Sequence, residues 1–219
     1  MAIIKHKSQR VGIFIDTQNL YHSAKNLYKA KVNFGQVVKD ALAGRQLIRA
    51  VAYVIRTESE DEKGFFEALN KLGIETKIKD IRIFAGGAKK ADWDIGMAID
   101  AIAMANKLDT VILATGDGDF VPLVEYLRFT EGCQVECVAF GKSSSGQLRE
   151  SVDDFTDLCD NPKNYLIGYR GGGRFMPSFS RSGADDRAQS ADTSPDTTEA
   201  PEDFDGYGED PAVKMSGEI

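Results

Sequence analysis

The sequence predicts an α/β protein, a three-layer α/β/α sandwich around a mainly parallel sheet, followed by a disordered C-terminal tail. Three observations carry that prediction. Apolar runs rich in β-branched residues alternate with helical stretches long enough for right-handed crossovers, which need about ten residues or more. Two of those runs, residues 11–15 and 111–115, end at aspartates. From Arg170 onward the chain turns to Gly, Ser, Asp, Thr and Pro with no helical or strand period.

Residues 11–15, Val-Gly-Ile-Phe-Ile, are apolar without alternation, the mark of a strand covered on both faces. Helices follow over about 20–30 and 34–43. Residues 47–55, with their β-branched residues and tyrosine, form the second strand. A helix carrying Phe65, Phe66, Leu69 and Leu72 stops at Gly73, and a short strand follows over 74–78. Residues 81–84 read as an edge piece before the Gly86-Gly87 turn. The stretch 95–105 is apolar on nearly every face, which predicts a helix enclosed by other elements. A strand over 111–115, a helix over 121–129 and a strand over 135–140 complete the series. The order 3-2-1-4-5, counted by appearance, sets the first strand beside 111–115. In such sheets ligands bind outside the carboxyl ends of the strands, where neighbouring connections part to opposite faces.

At 219 residues the chain fits one domain of ordinary size plus a tail. We divide it into an N-terminal extension, 1–10, a folded domain, 11–168, and an acidic Gly/Ser/Asp-rich tail, 169–219. Net charge is −7, of which residues 170–219 hold −6, with five Lys/Arg and eleven Asp/Glu. The nearly neutral remainder argues against broad electrostatic binding to duplex nucleic acid, which calls for a basic face. The tail cannot bury enough apolar area to offset its ordering entropy. Cys133, Cys137 and Cys159 contain no C-x-x-C pair, so they read as reduced, mostly buried thiols rather than a disulfide or zinc framework. The N-terminus lacks the apolar core of a secretory signal, and no run is long enough to span a membrane. A cytoplasmic protein is expected.

The acidic residues carry the functional signal. Asp16 follows the first strand, where it either caps the next helix or serves a site; the two roles are compatible. Asp117 stands at the second acid-tipped strand between Gly116 and Gly118, with little local reason to be acidic. Asp119 is explained by capping of the helix that has Pro122 in its first turn. One of Asp92 and Asp94 caps the apolar helix, favoured there by the helix dipole, and Asp94 is the one placed in the site. Asp100 is structural and needs a partner if buried. Gathering several carboxylates costs about 4 kcal/mol per pair at about 4 Å and an effective dielectric near 20. A cluster of oxygen donors without His or Cys is the ligand set of a hard cation, Mg²⁺ or Mn²⁺. The implied chemistry is phosphoryl transfer to water.

Three stretches, 13–20 (Ile-Phe-Ile-Asp-Thr-Gln-Asn-Leu), 90–94 with Asp100 six further on, and 115–120 (Thr-Gly-Asp-Gly-Asp-Phe), resemble the LabA-like branch of the NYN family. Residues 145–155, with Leu148 and Asp153, look like that family's closing motif. The resemblance covers about 10–160. It implies a PIN-like fold and a metal-dependent RNA nuclease, a hydrolase of phosphodiester bonds acting on single-stranded RNA. Asp16, Asp94, Asp117 and Asp119 carry over as catalytic residues and metal ligands. Asn19 matches the family's asparagine after the first strand, a ligand or water-holder; with Thr115, Lys89 and Lys90 it is a candidate substrate contact, and Lys25 and Lys29 are further candidates for the RNA backbone. Thr17-Gln18 stands where usual relatives have Gly and a variable residue, so Thr17 is expected to crowd that turn. Two rivals stay open. A phosphatase of the haloacid dehalogenase type also has a strand-tip Asp, but its general acid belongs at the position of Gln18. A catalytically weak or inactive PIN-like module that binds RNA or protein is the other, and self-association is compatible with all of these.

Overall fold

The computed structural model describes residues 3–56, 62–80, 82–83, 89–90 and 92–169. The chain opens with β1 (Arg10–Asp16), α1 (Thr17–Tyr28), β2 (Lys31–Val32), α2 (Phe34–Leu42) and β3 (Gln46–Arg56). It continues through α3 (Glu62–Lys71), β4 (Glu75–Asp80), β5 (Arg82–Ile83), β6 (Lys89–Lys90) and α4 (Asp94–Ala105). β7 (Thr110–Ala114), α5 (Val121–Phe129), β8 (Gln134–Ala139), α6 (Gly146–Ser151), β9 (Asp154–Asp157), α7 (Pro162–Tyr165) and β10 (Leu166–Ile167) close the order.

Six strands form the central sheet in the order β4-β3-β1-β7-β8-β9, and every pairing in it is parallel. The expected 3-2-1-4-5 order therefore holds, extended by one short strand, β9. Two small antiparallel pairs, β2 with β10 and β5 with β6, lie beside the main sheet. The crossovers from β1 to β3 and from β3 to β4 run one way across the sheet, and those into β7 and β8 run the other. Right-handedness then puts α1, α2 and α3 on one face and α4 and α5 on the other. β1, between β3 and β7, is the point at which the connections part.

Burial explains the strand compositions. Val11, Ile13, Phe14 and Ile15 of β1 and Val111, Ile112, Leu113 and Ala114 of β7 are all at most 1% exposed, as two covered faces demand. Phe34 of α2 meets Phe65 of α3 at 5.7 Å between ring centroids, and Tyr28 of α1 packs on Phe140 just past β8. Cys133 and Cys137 are buried, and all three cysteines are free.

Two expectations need correction. Helix α4 is not enclosed, because Ile95, Ile99 and Ile102 are 73%, 60% and 40% exposed while only Met97, Ala101 and Ala105 are buried. Neither Asp92 nor Asp94 caps it: Trp93 occupies the cap position without a side-chain hydrogen bond, and Asp94 is the first helical residue. Of the 81–84 edge piece, Arg82–Ile83 forms β5; residues 81 and 84, the Gly86-Gly87 turn and residues 170–219 lie outside the described residues.

At the end of the sheet opposite the strand tips, Arg45 and Glu136 are buried together. The guanidinium donates to both Glu136 oxygens, at 2.5 and 2.9 Å, and to the Ala41 and Leu42 carbonyls. Lys5 adds an ion pair to the same carboxylate at 3.0 Å. Removing one member leaves an uncompensated buried charge, which costs about 3–5 kcal/mol. Glu136→Ala is therefore expected to lower unfolding free energy in urea by that amount, with divalent-cation binding unchanged once the protein is folded.

Candidate metal centre

The site is built where β1 and β7 end side by side, with Ile15 paired to Ala114. Asp16 leaves β1 and caps α1, accepting from the Asn19 backbone N–H at 3.0 Å. The helix begins at Thr17, earlier than the sequence pattern indicates. Thr17 does not crowd the turn: its hydroxyl donates to the Tyr53 carbonyl of β3 at 2.6 Å, and the residue is 4% exposed. The cap is thus observed, and the same carboxylate lines a cavity of about 220 Å³.

A small hydrogen-bond lattice ties the two strand tips. Asn19 Oδ1 accepts from the Gly116 N–H at 2.8 Å. Thr115 Oγ1 donates to Asp16 Oδ2 at 3.2 Å and accepts from the Asp117 N–H at the same distance. Asn19 and Thr115, expected to touch substrate, thus use these atoms to hold the acidic loops in register, and Asn19 also lines the cavity. Asp117 Oδ1 in turn accepts from the Asp119 N–H at 3.0 Å, so Asp117, not Asp119, caps the 3-10 turn Gly118–Phe120.

The closing motif lies against this loop. Ser145 donates its backbone N–H to the Gly116 carbonyl at 2.9 Å and caps α6. A side chain at Gly116 would put its Cβ 2.5 Å from Ser144 Oγ and 3.1 Å from Ser144 Cα. Only glycine allows that approach.

The carboxylate oxygens of Asp94, Asp117 and Asp119 come within 4.8 Å of one another, Asp94 and Asp117 half-buried and Asp119 exposed. Asp16 shares the cavity with Asp94 and Asp117 but stands outside that triad. Three oxygen donors with no nitrogen or sulfur suit a hard cation. Asp100, assigned a structural role, accepts from the Tyr53 hydroxyl and Lys77 Nζ, at 2.7 and 2.5 Å. The side chains of Lys89 and Lys90 lie outside the described residues. Lys79 of β4, which sequence reasoning passed over, donates to the Asp92 carbonyl at 2.6 Å and sits over the Trp93 ring. Trp93 fixes the start of α4 by donating its indole N–H to the Val54 carbonyl at 2.9 Å. Gln18, Tyr53, Ile55, Asp92 and Trp93 complete the cavity wall; for Gln18, Tyr53, Ile55 and Trp93, strand alternation and the cap position were the only sequence signals.

An α/β sandwich with an acidic centre at the switch point of a parallel sheet is the class of domain that fold and site define. Residues 10–159 match the NYN domain family, and the chain belongs to it. It is 26% identical over 163 residues to the low amplitude and bright protein LabA of Synechococcus elongatus, spanning 70% of this chain and 86% of that one. A solved structure from Vibrio parahaemolyticus, of a protein of unknown function, superposes with a TM-score of 0.68 at 28% identity, covering 75% of this chain and all of that one. The mainly parallel α/β fold expected from the sequence is thereby shown. Among the described residues no helix is long and apolar enough to cross a membrane.

Burial pushes the Asp16 carboxyl up to about 6; Asp94 and Asp117 add to the rise, and hydrogen bonds from the Asn19 N–H and Thr115 oppose it. Asp94 is raised by burial and then by Asp117, Asp92 and Asp119, with Lys79 opposing. Between about pH 4 and 6 the folded, cation-free protein keeps a proton on Asp16 that the unfolded chain releases, so stability falls as pH rises through that window. The full cost above pH 6 is about 3 kcal/mol. Urea unfolding in EDTA is expected to show this decline, and Asp16→Asn is expected to flatten it and raise stability at pH 7. Mn²⁺ at pH 7 is expected to stabilise the wild type, read as an upward shift of the unfolding midpoint.

Proposed function

We propose that this protein is a divalent-cation-dependent ribonuclease that hydrolyses phosphodiester bonds of single-stranded RNA at the acidic cavity. The observation that carries the reading is the convergence of Asp94, Asp117 and Asp119 from separate parts of the chain, at the sheet position where α/β domains bind ligands. Membership of the NYN domain family supports the same chemistry.

Asp94, Asp117 and Asp119 would hold Mg²⁺ or Mn²⁺, with Asp16 beside them. Such a cation supplies a Lewis acid for the phosphoryl oxygens and makes water a better nucleophile at neutral pH. The chain's own residues do the rest. Asp16, oriented by the Thr115 hydroxyl and the Asn19 N–H, offers its remaining lone pairs to a water entering the cavity. Gln18 and Asn19 present amides along the wall, and Ile55 and Trp93 form its apolar side. At about 220 Å³ the cavity falls below the roughly 300–1,000 Å³ usual for drug-sized ligands, which suits one backbone unit of an extended strand better than a duplex. Free cysteines throughout fit a reducing compartment, the cytoplasm.

Cleavage of end-labelled single-stranded RNA with Mg²⁺ or Mn²⁺ tests this. The wild type is expected to cut and EDTA to stop it. Asp117→Asn is expected to reduce the rate by about 100-fold or more, with circular dichroism unchanged. An intact wild-type protein that retains RNA on filters but leaves it whole with either ion would instead establish a binding module.

A further inference from the structure

The exposed isoleucines of α4 belong to a larger face. Asp100 reaches Tyr53 of β3 and Lys77 of β4, and Met104 meets Arg49 of β3, so that flank of α4 looks toward β3 and β4. On α5, Arg128 contacts the Ser151 carbonyl and pairs with Asp153 at 2.7 Å, which turns its flank toward α6 and β9. With 3.6 residues per turn, Ile95 and Ile102 then fall on the α5 side of α4, and Tyr126 on the α4 side of α5. The two helices are neighbours and run the same way, since each leads into a parallel strand. Together they expose Ile95, Ile99, Ile102, Tyr126 and Phe129, at 73%, 60%, 40%, 38% and 78%.

We propose that this α4–α5 face is the interface of a two-fold symmetric homodimer. Taking about 150–250 Å² for a large side chain, the five residues leave roughly 500 Å² of apolar surface uncovered. That reaches the upper range for the largest patch on a monomer and forms the core of a standard interface, which takes about 800 Å² from each partner. The five carry no formal charge, so a partner gains nothing from charged groups opposite them and needs an equally apolar face. A second copy supplies one by symmetry: the same patch on both sides is the isologous arrangement, and a helix pair on a helix pair packs as a four-helix bundle does. Residues 1–169 carry a net charge of only −1, so two bodies meet with little repulsion. The tail, at −6 over 170–219, is the poorer occupant.

Sedimentation velocity on the full chain, with light scattering, tests the proposal without any assay of cleavage. The expected result is a dimer at tens of micromolar, weakened at least about 100-fold by Ile99→Glu and by Phe129→Glu while both variants keep the wild-type far-ultraviolet spectrum. Both positions are exposed, and Ile95→Lys is a third variant should either fail to fold. A monomeric full chain, or a dimer insensitive to every variant, overturns the proposal. So does a full chain that is monomeric until residues 170–219 are deleted, which would make the tail the occupant. None of these outcomes bears on whether the acidic cavity cuts RNA.

Discussion

Like-charged carboxylates repel one another, and holding them at the ends of β1, β7 and α4 is the constraint around which this molecule is arranged. At the spacing observed, repulsion between pairs amounts to several kcal/mol at an effective dielectric near 20. Nothing in a strand tip alone resists that force. The resistance comes from neutral groups between the acids: the Asn19 amide oxygen on the Gly116 N–H, and the Thr115 hydroxyl joining Asp16 to the Asp117 backbone. The Thr115 hydroxyl and the Asn19 backbone N–H favour the charged form of Asp16 and partly offset what burial does to it. The Asp94, Asp117 and Asp119 cluster could hold a divalent cation, which would complete the balance.

The opposite end of the sheet solves a related problem differently. Glu136 is 2% exposed, yet Arg45 meets it with two parallel hydrogen bonds and Lys5 adds a second cation. Charge there is cancelled within the chain, and the pair serves packing. At the strand tips Lys79 lies near but spends its ammonium on the Asp92 carbonyl. The difference between cancelled and uncancelled acid, both on one parallel sheet, separates scaffold from site.

Much of this was legible in the sequence. Continuous apolar runs gave away buried strands because a parallel sheet is covered on both faces, and β1 and β7 fall within a residue of the expected ends. The adjacency of those strands rests on the 3-2-1-4-5 order, which crossover length and handedness permit without determining. What escaped the sequence were contacts between distant residues with no local signature. Tyr53 reads as one more strand aromatic, but its hydroxyl reaches Asp100, forty-seven positions away. Asp117 caps in place of Asp119 because the segment after β7 first makes a 3-10 turn, a choice of backbone path that residue types two positions apart do not determine. Strand β9, only four residues with two aspartates, has no apolar run to announce it.

Helix α4 shows most sharply where pattern reading ends. A helix apolar on nearly every face is stable only when covered, and that inference is sound physics. It does not specify what covers the helix. Met97, Ala101 and Ala105 face this chain's own sheet, whereas Ile95 and Ile99 face outward. The sequence cannot separate burial within a chain from burial between chains, because both remove the same apolar surface from water. The sheet accounts for one flank of α4, and Asp94 at its first turn lines the acidic cavity. The isoleucine flank is the part of the pattern that the single chain leaves unexplained, and it is the ground on which a second copy is proposed.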